Sequence, residues 1–127
     1  MIRKLAGITA LLGLITVITG AFGAHSLKEK LDVEALQNFE TATRYMMYHV
    51  LAILLMINSG MIKEKSKFII SGFFLAGILF FSGSIFAISL DLVQAKQIWF
   101  ITPLGGLFFI IGWLISALSF FNFSDKN

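Results

Sequence analysis

The chain has 127 residues, of which 57% are hydrophobic and 13% charged, with a formal net charge of +3 and no cysteine. An ordinary soluble domain carries roughly a quarter charged residues, and a water-soluble core of this size could not hide so much apolar surface. Disulfides, thiolate metal sites and thiol nucleophiles are excluded by the absence of cysteine. The basic residues sit in short flanking segments rather than on one contiguous face, which excludes a nucleic-acid partner.

Four apolar stretches dominate, at about residues 5–24, 45–62, 68–90 and 98–121. A transmembrane helix needs roughly 20 mostly apolar residues, so each is long enough to cross a bilayer. Three carry no charged or histidine residue; the second carries His49, with Arg44 at its edge. Met1-Ile2-Arg3-Lys4 ahead of the first stretch, and Ala21-Phe22-Gly23 after it, have the outline of a secretory signal. The apolar run exceeds the usual signal core of about 7–15 residues, so a retained first helix is expected. On that helix Ala6, Thr9, Gly13, Thr16, Gly20, Gly23 and Ala24 share one narrow arc. Small residues let helix backbones approach in lipid, so Gly13, Gly20 and Gly23 are expected to pack against a neighbour.

The segment from Ser26 to Arg44 is the longest polar stretch. Ser26 followed by Glu29 fits a capping box for a short turn through Leu31, and Asp32 fits the N-cap of a new helix. No glycine or proline follows until Gly60, which predicts one long helix starting at the membrane surface and continuing into the second span. Leu36, Phe39 and Ala42 form its apolar stripe, facing lipid or the bundle. Gln37, Thr41, Arg44, Tyr45, Tyr48 and His49 project on another side, and Glu40–Arg44 and Tyr45–His49 are i,i+4 pairs able to meet along the helix.

The Lys63–Lys67 turn is short, so the second and third helices are expected to be antiparallel neighbours. The third carries small residues at Gly72, Ala76, Gly83 and Ala87, and the fourth at Gly105, Gly112 and Ser116. Residues 20–27 and 83–90 share Gly, Ala, Ser and Leu at four positions, a parallel repeat or chance. Pro103 either kinks the fourth helix or, after Thr102 as N-cap, starts it; the cap is the expectation. Trp99 falls at an interface, while Trp113 and the many phenylalanines read as lipid-facing bulk. With the N-terminus inside, the cytoplasmic side holds Arg3, Lys4, Lys63, Lys65, Lys67 and Lys126, against Lys28, Lys30, Arg44 and Lys96 opposite. That bias predicts cytoplasmic N- and C-termini.

Gly20-Ala21-Phe22-Gly23-Ala24-His25, then Phe39-x-Thr41-Ala42-x-x-Tyr45-x-x-x-His49, Ser82-Gly83-Ser84 and Thr102-Pro103-x-Gly105-Gly106 together resemble one family signature. It is that of the YgdD/YwdK-like small four-helix membrane proteins, domain of unknown function family 423. The resemblance covers nearly the whole chain. It implies a bacterial inner-membrane or plasma-membrane protein with relatives in eukaryotic organelles, and it implies no particular activity.

The fold expected is therefore all-α: a polytopic four-transmembrane-helix bundle, one domain over residues 1–127, with an amphipathic segment between the first two helices. His25, Glu40, Thr41, Arg44, Tyr45 and His49 form the candidate polar or binding cluster. One reading is structural: Arg44 snorkels, the tyrosines join an interfacial belt, and His49 hydrogen-bonds to a neighbouring helix. The others are a binding or proton-handling site, and a haem or metal site on His25 and His49, which two widely spaced histidines support weakly. No catalytic residue, cofactor or metal is expected. The leading function is that of a non-enzymatic accessory or scaffold protein acting through lipid or helix contacts, with membrane lipids, further copies of itself or other membrane proteins as partners. The alternative is a binding or transport pathway for a small solute, ion or lipid, shared between protomers.

Overall fold

The structure is a computed structural model that describes residues 1–122. Lys126, counted above for orientation, lies outside the described residues. Four long helices follow one another: α1 (Ile2–Leu27), α2 (Val33–Asn58), α3 (Glu64–Ser89) and α4 (Ile101–Phe121). Among the described residues the architecture is all-helical. By length and composition α1, α3 and α4 are apolar enough to cross a membrane. α2 does not reach that standard, because Arg44, His49 and Asn58 dilute it. It nevertheless buries Phe39, Ala42, Met46, His49, Val50, Ala52, Ile53, Met56 and Ile57. α1 packs on α2, α2 on α3, and α3 on α4.

Local chemistry explains most of the boundaries. Asp32 caps α2 as expected, its carboxylate accepting from the Ala35 amide at 2.8 Å. The run without glycine or proline then keeps α2 unbroken to Asn58. The turn into α3 comes earlier than the lysine run implied, at Ser59 to Lys63. Glu64 supplies negative charge in the first turn of α3, where the helix dipole favours it, and accepts from Lys67 Nζ at 3.3 Å. Ser26 does not open a separate capped turn. It lies in a π-helical turn, Gly23–Leu27, that extends α1. After α3, Asp91 adopts a positive φ of 56° and the Leu92 amide donates back to the Ala87 carbonyl at 2.9 Å, a helix-ending arrangement that Asp tolerates. Thr102 does not cap α4. That helix starts at Ile101 after Phe100, which puts Pro103 in the first turn, where its missing N–H removes no helical bond. No kink results.

The expected small-residue faces are partly used. On α1, Thr9 and Thr16 are fully buried, with their hydroxyls donating to Leu5 and Leu12 carbonyls at 2.8 and 2.7 Å. A Cβ on Gly13 or Gly20 would touch Val50 or Thr43 of α2 at 3.4 Å, and one on Gly23 would press on Phe39 at 3.0 Å. Ile8, Leu11, Leu14, Val17 and Ile18 point away from the bundle and are exposed, as a lipid-facing surface requires. On α3 the expectation fails for Gly72 and Gly83, which have open space where a Cβ would stand. Gly77 is the α3 glycine in close contact, against the Phe109 ring. On α4, Gly105 faces the Phe81 backbone and Gly112 the Phe74 ring.

α3 is interrupted by a π-helical turn, Ile78–Ser82. Such a turn inserts an extra residue and re-aims the side chains around it. Here it sets the Phe80–Phe81 backbone beside Gly105 and turns the Ser82 hydroxyl to donate to the Ala42 carbonyl of α2 at 2.8 Å, fully buried. Ser84, just beyond, shares a hydrogen bond of 2.6 Å with Thr102 of α4, so the Thr102 side chain ties α3 to α4. The apolar core gathers Met46, Val50, Ile53, Met56, Ile57, Ile70, Phe74, Ile78 and Phe109 between α2, α3 and α4. Gly105→Ala should destabilise the fold by about 1–3 kcal/mol through overpacking, whereas Gly72→Ala and Gly83→Ala leave it unchanged or slightly more stable. Unfolding midpoints in mixed detergent micelles check the contrast.

Candidate functional site

The six residues expected to form one polar cluster are divided by the structure among three places. His25 is exposed in the π-turn that ends α1 and lines neither of the two cavities below. Glu40 and Arg44 border a groove between α1 and α2 together with Gly20, Gly23, Phe39 and Thr43. Tyr45 and His49 turn the other way, into an aromatic cleft shared with α3 and α4. The expected Glu40–Arg44 pair is not formed. Arg44 Nη2 donates instead to Thr41 Oγ1 at 3.1 Å, and among the described residues the single ion pair is Lys67 with Glu64.

His49 is the centre of the cleft and is only 4% exposed. Its Nδ1 is 2.7 Å from the Tyr45 carbonyl, one turn back on α2. Its Nε2 is 3.2 Å from the indole nitrogen of Trp113 on α4. An indole N–H only donates and a carbonyl only accepts, so Nε2 must carry the lone pair and Nδ1 the hydrogen. His49 is thus a neutral imidazole in the Nδ1–H form, with both nitrogens occupied. Its ring stacks on Phe109 at 3.5 Å between centroids and 9° between planes, while Phe74 of α3 meets it edge-on at 5.1 Å.

This arrangement removes the penalty of a buried polar group without partners and locks α2 to α4. Phe109 and Trp113 lie four residues apart on one face of α4, in register with Tyr45 and His49 four apart on α2. Reading them as lipid-facing bulk missed this role. The i,i+4 aromatic spacing was visible in the sequence, but nothing in it matched one helix face to the other.

Around the histidine lies a cleft of about 500 Å³, lined by Tyr45, His49, Phe81, Gly106, Phe109, Ile110 and Trp113. Its walls are aromatic and aliphatic. Gly106 leaves the floor open, since a Cβ there would meet Phe81 only at 3.9 Å. Among the described residues no group of three or more His, Asp or Glu side chains converges as a metal site requires. Such walls offer dispersion and aromatic contact rather than charge.

An all-helical bundle with three helices apolar enough to span a bilayer and a broad apolar outer surface defines a helical membrane protein. Sequence comparison agrees. The family described as "Protein of unknown function (DUF423)" matches residues 19–106. The UPF0382 membrane protein of Staphylococcus aureus is 42% identical over 118 residues, covering 91% of this chain and 93% of its own. The UPF0382 membrane protein of Haemophilus influenzae is 35% identical over 127 residues, covering 100% and 99%. That of Staphylococcus saprophyticus is 43% identical over 114 residues, covering 88% and 92%. No solved structure matches. The chain belongs to the DUF423 family of small membrane proteins.

The ring nitrogens of His49 give a direct check. Nitrogen-15 spectra of selectively labelled protein should show Nδ1 protonated and Nε2 unprotonated. Trp113→Phe, which removes the donor to Nε2, should lower stability by about 1–2 kcal/mol.

Proposed function

We propose that this is a non-enzymatic accessory or scaffold protein of the bacterial plasma membrane, crossing the bilayer four times with both termini in the cytoplasm. It acts by seating lipid chains and neighbouring membrane helices against its surface. The observation that carries this reading is the state of His49: with both of its nitrogens engaged, the neutral ring is a wall for apolar contact and not an acid or base free to act in the cleft. A span through α2 is supported by its packing between α1 and α3 and by the satisfied histidine, so His49 does not meet hydrocarbon bare.

Antiparallel connectivity sets Arg3, Lys4, Lys63, Lys65 and Lys67 at one end of the bundle and Lys28, Lys30 and Lys96 at the other, with Arg44 inside α2 in the half nearer that second end. The first end is the one that the positive-inside bias favours for the cytoplasm. The family's membership in bacteria as different as Staphylococcus and Haemophilus, as membrane proteins, supports the location.

Two measurements test the reading. Because the chain has no cysteine, single cysteines at Ser26 and Ser66 report topology in intact cells. Ser26→Cys should react with an impermeant maleimide and Ser66→Cys should be protected; labelling of both from outside overturns the four-span arrangement. In a Trp99→Phe background, lipids brominated along the acyl chain should quench Trp113 fluorescence. Gly106→Leu, whose side chain fills the cleft, should reduce that quenching. Equal quenching in both proteins would mean that no acyl chain enters the cleft.

A further inference from the structure

The groove between α1 and α2 has a different chemistry from the aromatic cleft. It holds about 220 Å³ and is lined by Gly20, Gly23, Phe39, Glu40, Thr43 and Arg44. The two glycines keep it open on the α1 side, where side chains would run into Thr43 and Phe39. Its rim carries two opposite charges one helical turn apart that do not neutralise each other: the Arg44 guanidinium bonds to Thr41, and Glu40 has no ion-pair partner among the described residues. On the four-span reading above, on which this inference rests, Arg44 immediately precedes the apolar run that begins at Tyr45. The groove therefore sits at the boundary between headgroups and acyl chains.

We propose that this groove holds one phospholipid whose headgroup carries both a phosphate and a primary ammonium, of the phosphatidylethanolamine type. The phosphate lies on Arg44, whose planar fork matches two phosphate oxygens, and the ammonium lies on Glu40. Side chains at i and i+4 are about 5–6 Å apart at Cβ, a separation that a two-carbon linker between phosphate and ammonium spans. The glycerol end of the lipid rests over Gly20 and Gly23.

Charge selects among headgroups. An anionic lipid satisfies Arg44 but brings its negative charge beside Glu40. A simple cation satisfies Glu40 and leaves Arg44 without a counter-charge. A trimethylated headgroup has the charge but no N–H to donate to the carboxylate.

The test is lipid retention by purified, delipidated protein, read by native mass spectrometry and titration with phosphatidylethanolamine, phosphatidylglycerol and N-acetylated phosphatidylethanolamine. The wild-type chain should retain one phosphatidylethanolamine, with affinity roughly tenfold or more above the other two. E40Q and R44Q should each abolish that preference, and G20L should block binding altogether. G106L, which fills the aromatic cleft, should leave the preference intact. Equal retention of all three lipids by the wild-type chain overturns the proposal, as does an unchanged preference in E40Q and R44Q. Both side chains are exposed, so the variants should keep their helical content; should either unfold, the N-acetylated lipid on the wild-type chain decides alone. Failure of Trp113 quenching would count against the acyl-chain cleft only, since the retention assay reads headgroup chemistry.

Discussion

A single imidazole, buried among aromatic rings, governs how three of the four helices meet. Almost none of the ring reaches the surface, so its two nitrogens must find partners within the chain. His49 does so with a carbonyl from its own helix and an indole from α4, while Phe109 covers its face and Phe74 its edge. Because lipid provides little hydrophobic drive for helices to associate, the geometry of these few directed contacts counts for more than it would in a soluble core. The Ser82–Ala42 and Ser84–Thr102 bonds repeat the device nearer the other end of α3. Each joins a different pair of helices.

Close approach is the second constraint, and it depends on where side chains are missing. Gly77, Gly105 and Gly112 admit an aromatic ring or a backbone segment that a methyl group would displace. The π-turn in α3 supplies the matching irregularity: it brings Phe81 to the α4 glycine and at the same time makes Phe81 part of the cleft wall. Packing and the shape of the cleft therefore come from one local departure from regular helix.

The helices themselves were legible in the sequence, because apolar length, the Asp32 cap and the uninterrupted run from Val33 are local signals. The α1 face of Gly13, Gly20 and Gly23 was legible for the same reason, since periodicity alone aligns those residues. Gly72 and Gly83 obeyed the same periodicity and yet face open space. The π-turn shifts the register of α3 between them, and no sequence rule announces that shift. The polar stripe was legible as a stripe but not as three separate environments, since residues on one broad helical arc can point to different neighbours: Arg44 toward α1 and His49 toward α4. Trp113 was hidden because its role is defined by a partner 64 positions away.

α1 leans on a single neighbour, and that neighbour is the helix with the least apolar composition. α1 precedes α2 in the chain and is apolar enough to settle in a bilayer unaided, on hydropathy alone. When α2 follows, its Arg44 side meets a ready-made flank of glycines on α1. For a chain of this order, the peripheral helix works as an escort: it gives shelter to a segment that would partition poorly by itself, until α3 and α4 arrive and complete the enclosure.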